Sequence, residues 1–145
     1  MKRRAVLAAL GAGGVVGLAG CSSALGLGDG SPCNGDDCDI GMNRNAFIPE
    51  LHEVTAGDTV VWKNTSGADH TITAYEDRIP ADAAYFATGG YEREETAREK
   101  WYDSLGGGLG PGETFEHTFE IPGSYSYVCI PHERAGMVGT IEVSE

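Results

Sequence analysis

Cys129, His132 and Met137 stand within one short stretch of the chain, spaced Cys-x2-His-x4-Met. A thiolate, an imidazole and a thioether on one tight loop constrain the fold strongly, because rigid elements must hold the loop from both sides. The flanking residues supply them. Ser124–Cys129 and Val138–Val143 carry β-branched and aromatic residues in short runs and read as strands. Alternation along the first puts Tyr125, Tyr127 and Cys129 on one face. Pro131 stiffens the turn, and Ala135 with Gly136 lets the backbone pass close to an ion.

The donor chemistry points to copper. Soft sulfurs favour Cu(I), imidazole suits both oxidation states, and a weak axial thioether keeps the site from becoming square planar. Met137 taken alone also reads as a core residue; the spacing decides for a ligand. One further His would complete a trigonal His₂Cys set, and three lie outside the loop: His52, His70 and His117. His70 opens a strand after the Asn64–Ala68 loop, at one end of the domain, and is the candidate. His117 alternates with Phe115 and Phe119 and reads as a half-buried strand residue. His52, between Leu51 and Glu53, takes a structural role. Glutamates frame both, so a pH-sensitive ion pair is the other reading for either.

The chain divides into three parts. Lys2, Arg3 and Arg4 precede a short apolar run, the pattern of an export signal over residues 1–20. Arg3-Arg4 fits a twin-arginine signal. Leu18-Ala19-Gly20-Cys21 resembles a lipobox, with cleavage before Cys21 and a lipid on its sulfur. Residues 21–31 then read as a lipid-anchored flexible tether, and residues 32–145 as one domain. With 22 Gly and six Pro, the chain is poorly suited to an all-helical fold.

Strands are expected at Asp39–Met42, Leu51–Thr55, Thr59–Lys63, Asp69–Tyr75 and Glu113–Ile121, besides the two around the ligand loop. Seven short strands with Gly and Pro turns and no βαβ alternation predict an antiparallel sandwich. An insertion at about 76–112 interrupts them. Within it Tyr91–Asp103 reads as a helix, with Ala97 and Trp101 on one stripe and Glu94 and Arg98 at i and i+4. Pro80–Phe86 is expected to form a short helical turn, and Gly106–Gly112 a mobile loop. The insertion reads either as a decoration packed on the sandwich or as a lobe for docking a partner.

Four Cys need accounting for. Cys21 belongs to the anchor. Cys33 and Cys38 flank a turn-forming tetrapeptide in an exported chain, which predicts a disulfide; a second metal site is the other reading. Cys129 is the odd thiol, and an unpaired Cys in an exported domain needs a reason such as metal ligation.

The net charge is −12, and without Lys2, Arg3 and Arg4 seven basic residues face 22 acidic ones, giving −15. That sign argues against generic nucleic-acid binding. It fits a surface for a basic partner, or adaptation to concentrated salt through a strongly hydrated acidic surface.

The stretches Gly112–Phe115, Pro122–Gly139, Val60–Asn64 and Asp69–Thr71 resemble the plastocyanin family of blue copper proteins. With the signal, the lipobox and the acidic balance, the chain is similar to the halocyanins, membrane-anchored members from salt-loving archaea. The resemblance covers roughly residues 40–75 and 112–143. It implies an all-β, cupredoxin-type Greek-key β-sandwich with a small helical insertion. It implies one type 1 copper ion held by His70, Cys129, His132 and Met137, with His132 as the solvent-edge ligand and electron port. The rim for transient docking would be Pro131, Ala135, Gly136 and Met137. Many relatives have Pro before the first His and Asn after it; here Asp69 and Thr71 stand there. The Thr71 hydroxyl is expected to make the loop-to-loop hydrogen bond usually made by that Asn.

The resulting expectation is a monomer, lipid-anchored at the extracytoplasmic face of the cell membrane. It would carry one electron at a time between membrane-associated redox proteins, with no small-molecule substrate. A copper scavenger or chaperone on the same fold is the alternative. A copper oxidase or nitrite reductase would need further His, usually paired as His-x-His, and the sequence has no such pair.

Overall fold

The computed structural model describes Cys33 and residues 37–145. The export signal, Cys21 and the tether read for residues 1–31 lie outside the described residues. Among the described residues, eight strands and one α-helix follow in order: β1 (Ile40–Met42), β2 (Phe47–Ile48), β3 (Leu51–Thr55), β4 (Asp58–Asn64), β5 (Thr73–Ala74), α1 (Glu94–Ser104), β6 (Thr114–Phe119), β7 (Gly123–Val128) and β8 (Val138–Ser144). They form two four-stranded sheets, β2-β1-β4-β6 and β3-β8-β7-β5.

Alternation along the strands makes the core. In β4 Val60, Trp62 and Asn64 point inward, and in β7 Tyr125 and Tyr127 do the same. Trp62 lies at the centre, with the rings of Phe86, Phe115, Phe119 and Tyr127 centred 5.5–6.3 Å from its own. Tyr127 fits because its β8 partner is Gly139: a Cβ there would overlap the tyrosine ring.

The expected all-antiparallel ladder needs correction. β1 runs parallel to β4, and β3 runs parallel to β8. Both pairings join segments distant in sequence, across which short-range patterning is silent. β2, only two residues long, was not expected.

The predicted strand Asp69–Tyr75 shrinks to Thr73–Ala74, because its first residues are drawn elsewhere. His70 pairs with Leu109, and the Thr71 N–H turns to Cys129 Sγ, 3.4 Å away. Pro80–Phe86 forms no helix. Ile79 before the proline is extended (φ −130°, ψ 158°), as that position favours. The chain beyond it is taken up by pairing, with Ala74 N–H donating to the Phe86 carbonyl and Thr88 N–H to that of Ile72. A 3₁₀ turn forms at Glu76–Arg78 instead.

The helix starts and stops slightly later than predicted, at Glu94 and Ser104. Ala97 and Trp101 are its buried residues, and Arg98 Nε donates to Glu94 Oε2 at 2.9 Å, the expected i,i+4 pair. Cys33 and Cys38 are joined by a disulfide. The adjoining Asp37 pairs with Lys63 on β4 at 2.7 Å.

Candidate metal centre

β7 delivers Cys129 to the end of the sandwich, where the chain leaves the sheet through a 3₁₀ turn at Ile130–Ala135. His132 breaks the helical run inside it (φ −120°, ψ 18°), and Gly136 closes it in the left-handed region (φ 85°). Two backbone hydrogen bonds tighten the loop, from Cys129 N–H to the Met137 carbonyl at 3.0 Å and from Met137 N–H to the His132 carbonyl at 3.2 Å. Met137 is fully buried. It therefore stands apart from the docking rim read from the sequence, of which Ala135 and Gly136 are exposed and Pro131 is half-buried.

Two imidazoles converge on the thiol. His70 Nδ1 and His132 Nδ1 each lie 3.4 Å from Cys129 Sγ. The three donors lie within 4.8 Å of one another, and the two rings are centred 4.8 Å apart. His70 and Cys129 are fully buried, while His132 is partly open to solvent, so any contact from outside reaches the centre through His132.

His70 is held from behind. Ser66 Oγ lies 2.9 Å from its Nε2, and Ser66 is itself bonded to Asn64 Oδ1 at 2.8 Å. With Nε2 occupied, Nδ1 is left for the metal side. Sequence reasoning missed Ser66, whose only signal is its place four residues before a ligand candidate.

The donor set fits a soft cation. Burial pushes the Cys129 thiol up to about 11, against the opposing Thr71 N–H. Burial, and then the neighbouring His132, push His70 down to about 4. In neutral solution the pocket thus holds a thiol and a neutral imidazole lone pair. A metal ion that displaces the thiol proton resolves the cost of a buried sulfur anion. The other two imidazoles take no part. His117 lies on β6, stacked on Phe86 at 4.6 Å and edge-on to Phe119 at 4.8 Å, with its basicity lowered by burial. His52 sits on β3.

A two-sheet sandwich with a buried cysteine and two imidazoles at one end defines the cupredoxin class. The sequence pattern of the family described as "Copper binding proteins, plastocyanin/azurin family" matches residues 36–144, and the chain belongs to that family. It is 40% identical over 101 residues to plastocyanin from Vicia faba, covering 68% of this chain and 88% of that one. Plastocyanin from Scenedesmus fuscus is 35% identical over 106 residues, covering 72% and 94%. Of the chloroplastic relative from Pisum sativum the chain spans 52%. Among solved structures, amicyanin from Paracoccus versutus superposes with a TM-score of 0.50 at 23% identity, covering 77% of this chain and 85% of that one, a likeness of fold. The cofactor of this family is one type 1 copper ion.

Proposed function

We propose that the protein is a one-electron carrier, lipid-anchored through Cys21 at the extracytoplasmic face of the cell membrane, and an electron-transfer protein, not an enzyme. His70, Cys129, His132 and Met137 would hold the copper. When bound, copper supplies a Cu(I)/Cu(II) couple. The chain's own residues exclude water from the sulfur, fix the two imidazoles, and present His132 as the edge through which a partner couples.

One observation carries this reading: two Nδ1 atoms face one buried thiol at 3.4 Å each. The plastocyanins support it at the level of a one-electron copper carrier. Membrane-associated redox proteins as donor and acceptor follow from the anchor read at Cys21. Their transient docking around His132 would be a low-area contact. The copper-handling alternative is disfavoured, because a chaperone must pass its ion on, and His70, Cys129 and Met137 are fully buried.

The test is an absorption spectrum. Copper-loaded protein is expected to be blue from thiolate-to-copper charge transfer. Cys129→Ser abolishes the colour, since the alcohol is neither soft nor deprotonated. A loaded wild-type protein with no visible band would sink the proposal.

A further inference from the structure

The insertion between β5 and β6 touches both imidazole-bearing loops. At its C-terminal end Leu109 exchanges two backbone hydrogen bonds with His70. His70 N–H donates to the Leu109 carbonyl at 3.1 Å, and Leu109 N–H donates to the His70 carbonyl at 2.7 Å. The Leu109 carbonyl also accepts Asn64 Nδ2 at 2.8 Å, so this end is fixed to β4 as well.

Along α1, Arg98 forks onto Glu133, the residue after His132. Its Nη1 donates to Oε1 at 2.8 Å and its Nη2 to Oε2 at 3.1 Å. The Tyr75 hydroxyl donates to the same Oε2 at 2.9 Å, and Arg98 Nε is held by Glu94. The start of α1 is locked in turn. Glu94 N–H donates to Glu76 Oε1 at 2.7 Å, and Glu76 N–H to Glu94 Oε1 at 2.9 Å. One turn beyond Arg98, Trp101 lines a cleft together with Ile130 and Pro131 of the ligand loop.

We propose that the insertion is a clamp that sets the spacing between the two imidazole-bearing loops, with Arg98 as the positioning residue at its His132 end. What that spacing serves rests on the copper reading above. A decoration would need only to bury Ala97 and Trp101. A docking lobe would need no grip on the ligand loop. The structure has instead a two-bond backbone bridge at one imidazole and a two-bond guanidinium fork beside the other.

The fork suits the task because planar bidentate pairing fixes orientation as well as distance. An isolated exposed ion pair would do little. Here the side chains of Arg98 and Glu133 are only 26% and 34% exposed and share Tyr75 and Glu94. The His132 side of the loop needs such lateral support: the backbone N–H groups of Cys129, His132 and Met137 donate to carbonyls within the loop, and the cross-ties from Thr71 reach only Cys129 Sγ and the Ile130 N–H. A carrier whose ligands stay put in both oxidation states has less to rearrange at each transfer.

The test compares Arg98→Gln and Arg98→Lys with Lys63→Met, which breaks the ion pair on β4 and serves as control. In the metal-free protein, amide hydrogen exchange across residues 132–136 should speed up roughly fivefold or more in Arg98→Gln. Arg98→Lys should recover part of the loss, and the control should match wild type. Wild-type exchange rates in these loop amides overturn the clamp, whatever metal the site takes. In the copper-loaded protein, electron self-exchange should slow several-fold in Arg98→Gln while the blue band persists. Unchanged self-exchange beside a loosened loop overturns the link to electron transfer. A wild type that never turns blue fails the copper reading and leaves the amide result to decide the clamp. Should Arg98→Gln not fold, Glu133→Gln weakens the same fork from the other side and is read in the same way.

Discussion

The Thr71 hydroxyl oxygen accepts the Ile130 N–H at 2.8 Å, while the Thr71 N–H points at Cys129 Sγ. One residue therefore ties the His70 loop to the Cys129 loop twice, once through its side chain and once through its backbone. Thr71→Val keeps the shape and removes the acceptor. It leaves a buried N–H without a partner, which costs about 1–3 kcal/mol. Denaturant unfolding of the metal-free protein should show that loss, and Thr71→Ser should restore most of it.

Ser66→Ala removes the group behind His70 Nε2. Partners of this kind orient a ligand ring, and their loss typically costs about 10–100-fold in metal affinity. Competition with a chelator of known strength measures the change. An affinity equal to wild type would mean that His70 is oriented by its surroundings without Ser66.

The metal-free protein should be sensitive to mild acid. His70 is held near 4 in the folded state, against 6.5 when unfolded, so between those values the unfolded chain binds the extra proton. Stability therefore falls as the pH drops from about 6.5 towards 4, by on the order of 3 kcal/mol from this group. His117, lowered by burial, acts in the same direction. Unfolding curves across this range check the slope, and His70→Gln should flatten it. Copper loading should flatten it too, because the metal competes with the proton.

Asp69 is exposed beside the buried His70, and its charge opposes the drop in His70 basicity. A carboxylate there favours the more positive oxidation state. Two unit charges at 4 Å interact by about 1 kcal/mol in water, on the order of 40 mV for one electron. Asp69→Asn should raise the reduction potential by tens of millivolts at low salt. Because the group faces solvent, molar salt should erase most of the difference. Voltammetry at both salt levels checks the pair of statements.

Cys21→Ser should release the domain from membranes and leave the copper spectrum unchanged. Fractionation of cells expressing the variant reads the outcome, and retention with the membranes would refute a lipid on this sulfur.

The cluster of His70, Cys129 and His132 was the most legible part of the chain, because two of its members share one loop whose spacing points to a metal. Thr71 was legible for a related reason: its place next to a ligand candidate assigns its hydroxyl a task. Arg98 and Glu133 were not. They lie 35 residues apart, and in sequence Arg98 reads only as the partner of Glu94, which it also is. β5 escaped for a physical reason as well. Residues with good strand propensity were pulled out of the ladder by Leu109 and Cys129, a tertiary pull that no local preference registers. The parallel pairings of β1 with β4 and of β3 with β8 were hidden because patterning reports which face a strand buries, not which neighbour it finds.

The parallel joint between β3 and β8 also has a consequence in time. Leu51 pairs with Thr140, and the Ser144 hydroxyl reaches the Val54 carbonyl across 90 residues. β8 lies between β3 and β7, so β3 stays outside its sheet until the last of the described strands leaves the ribosome. Closing so long a span before any contact rewards it makes folding slow. The thiol and His70 are brought together by a different joint, β5 against β7 with Thr73 opposite Val128, so the metal pocket does not have to wait for that closure.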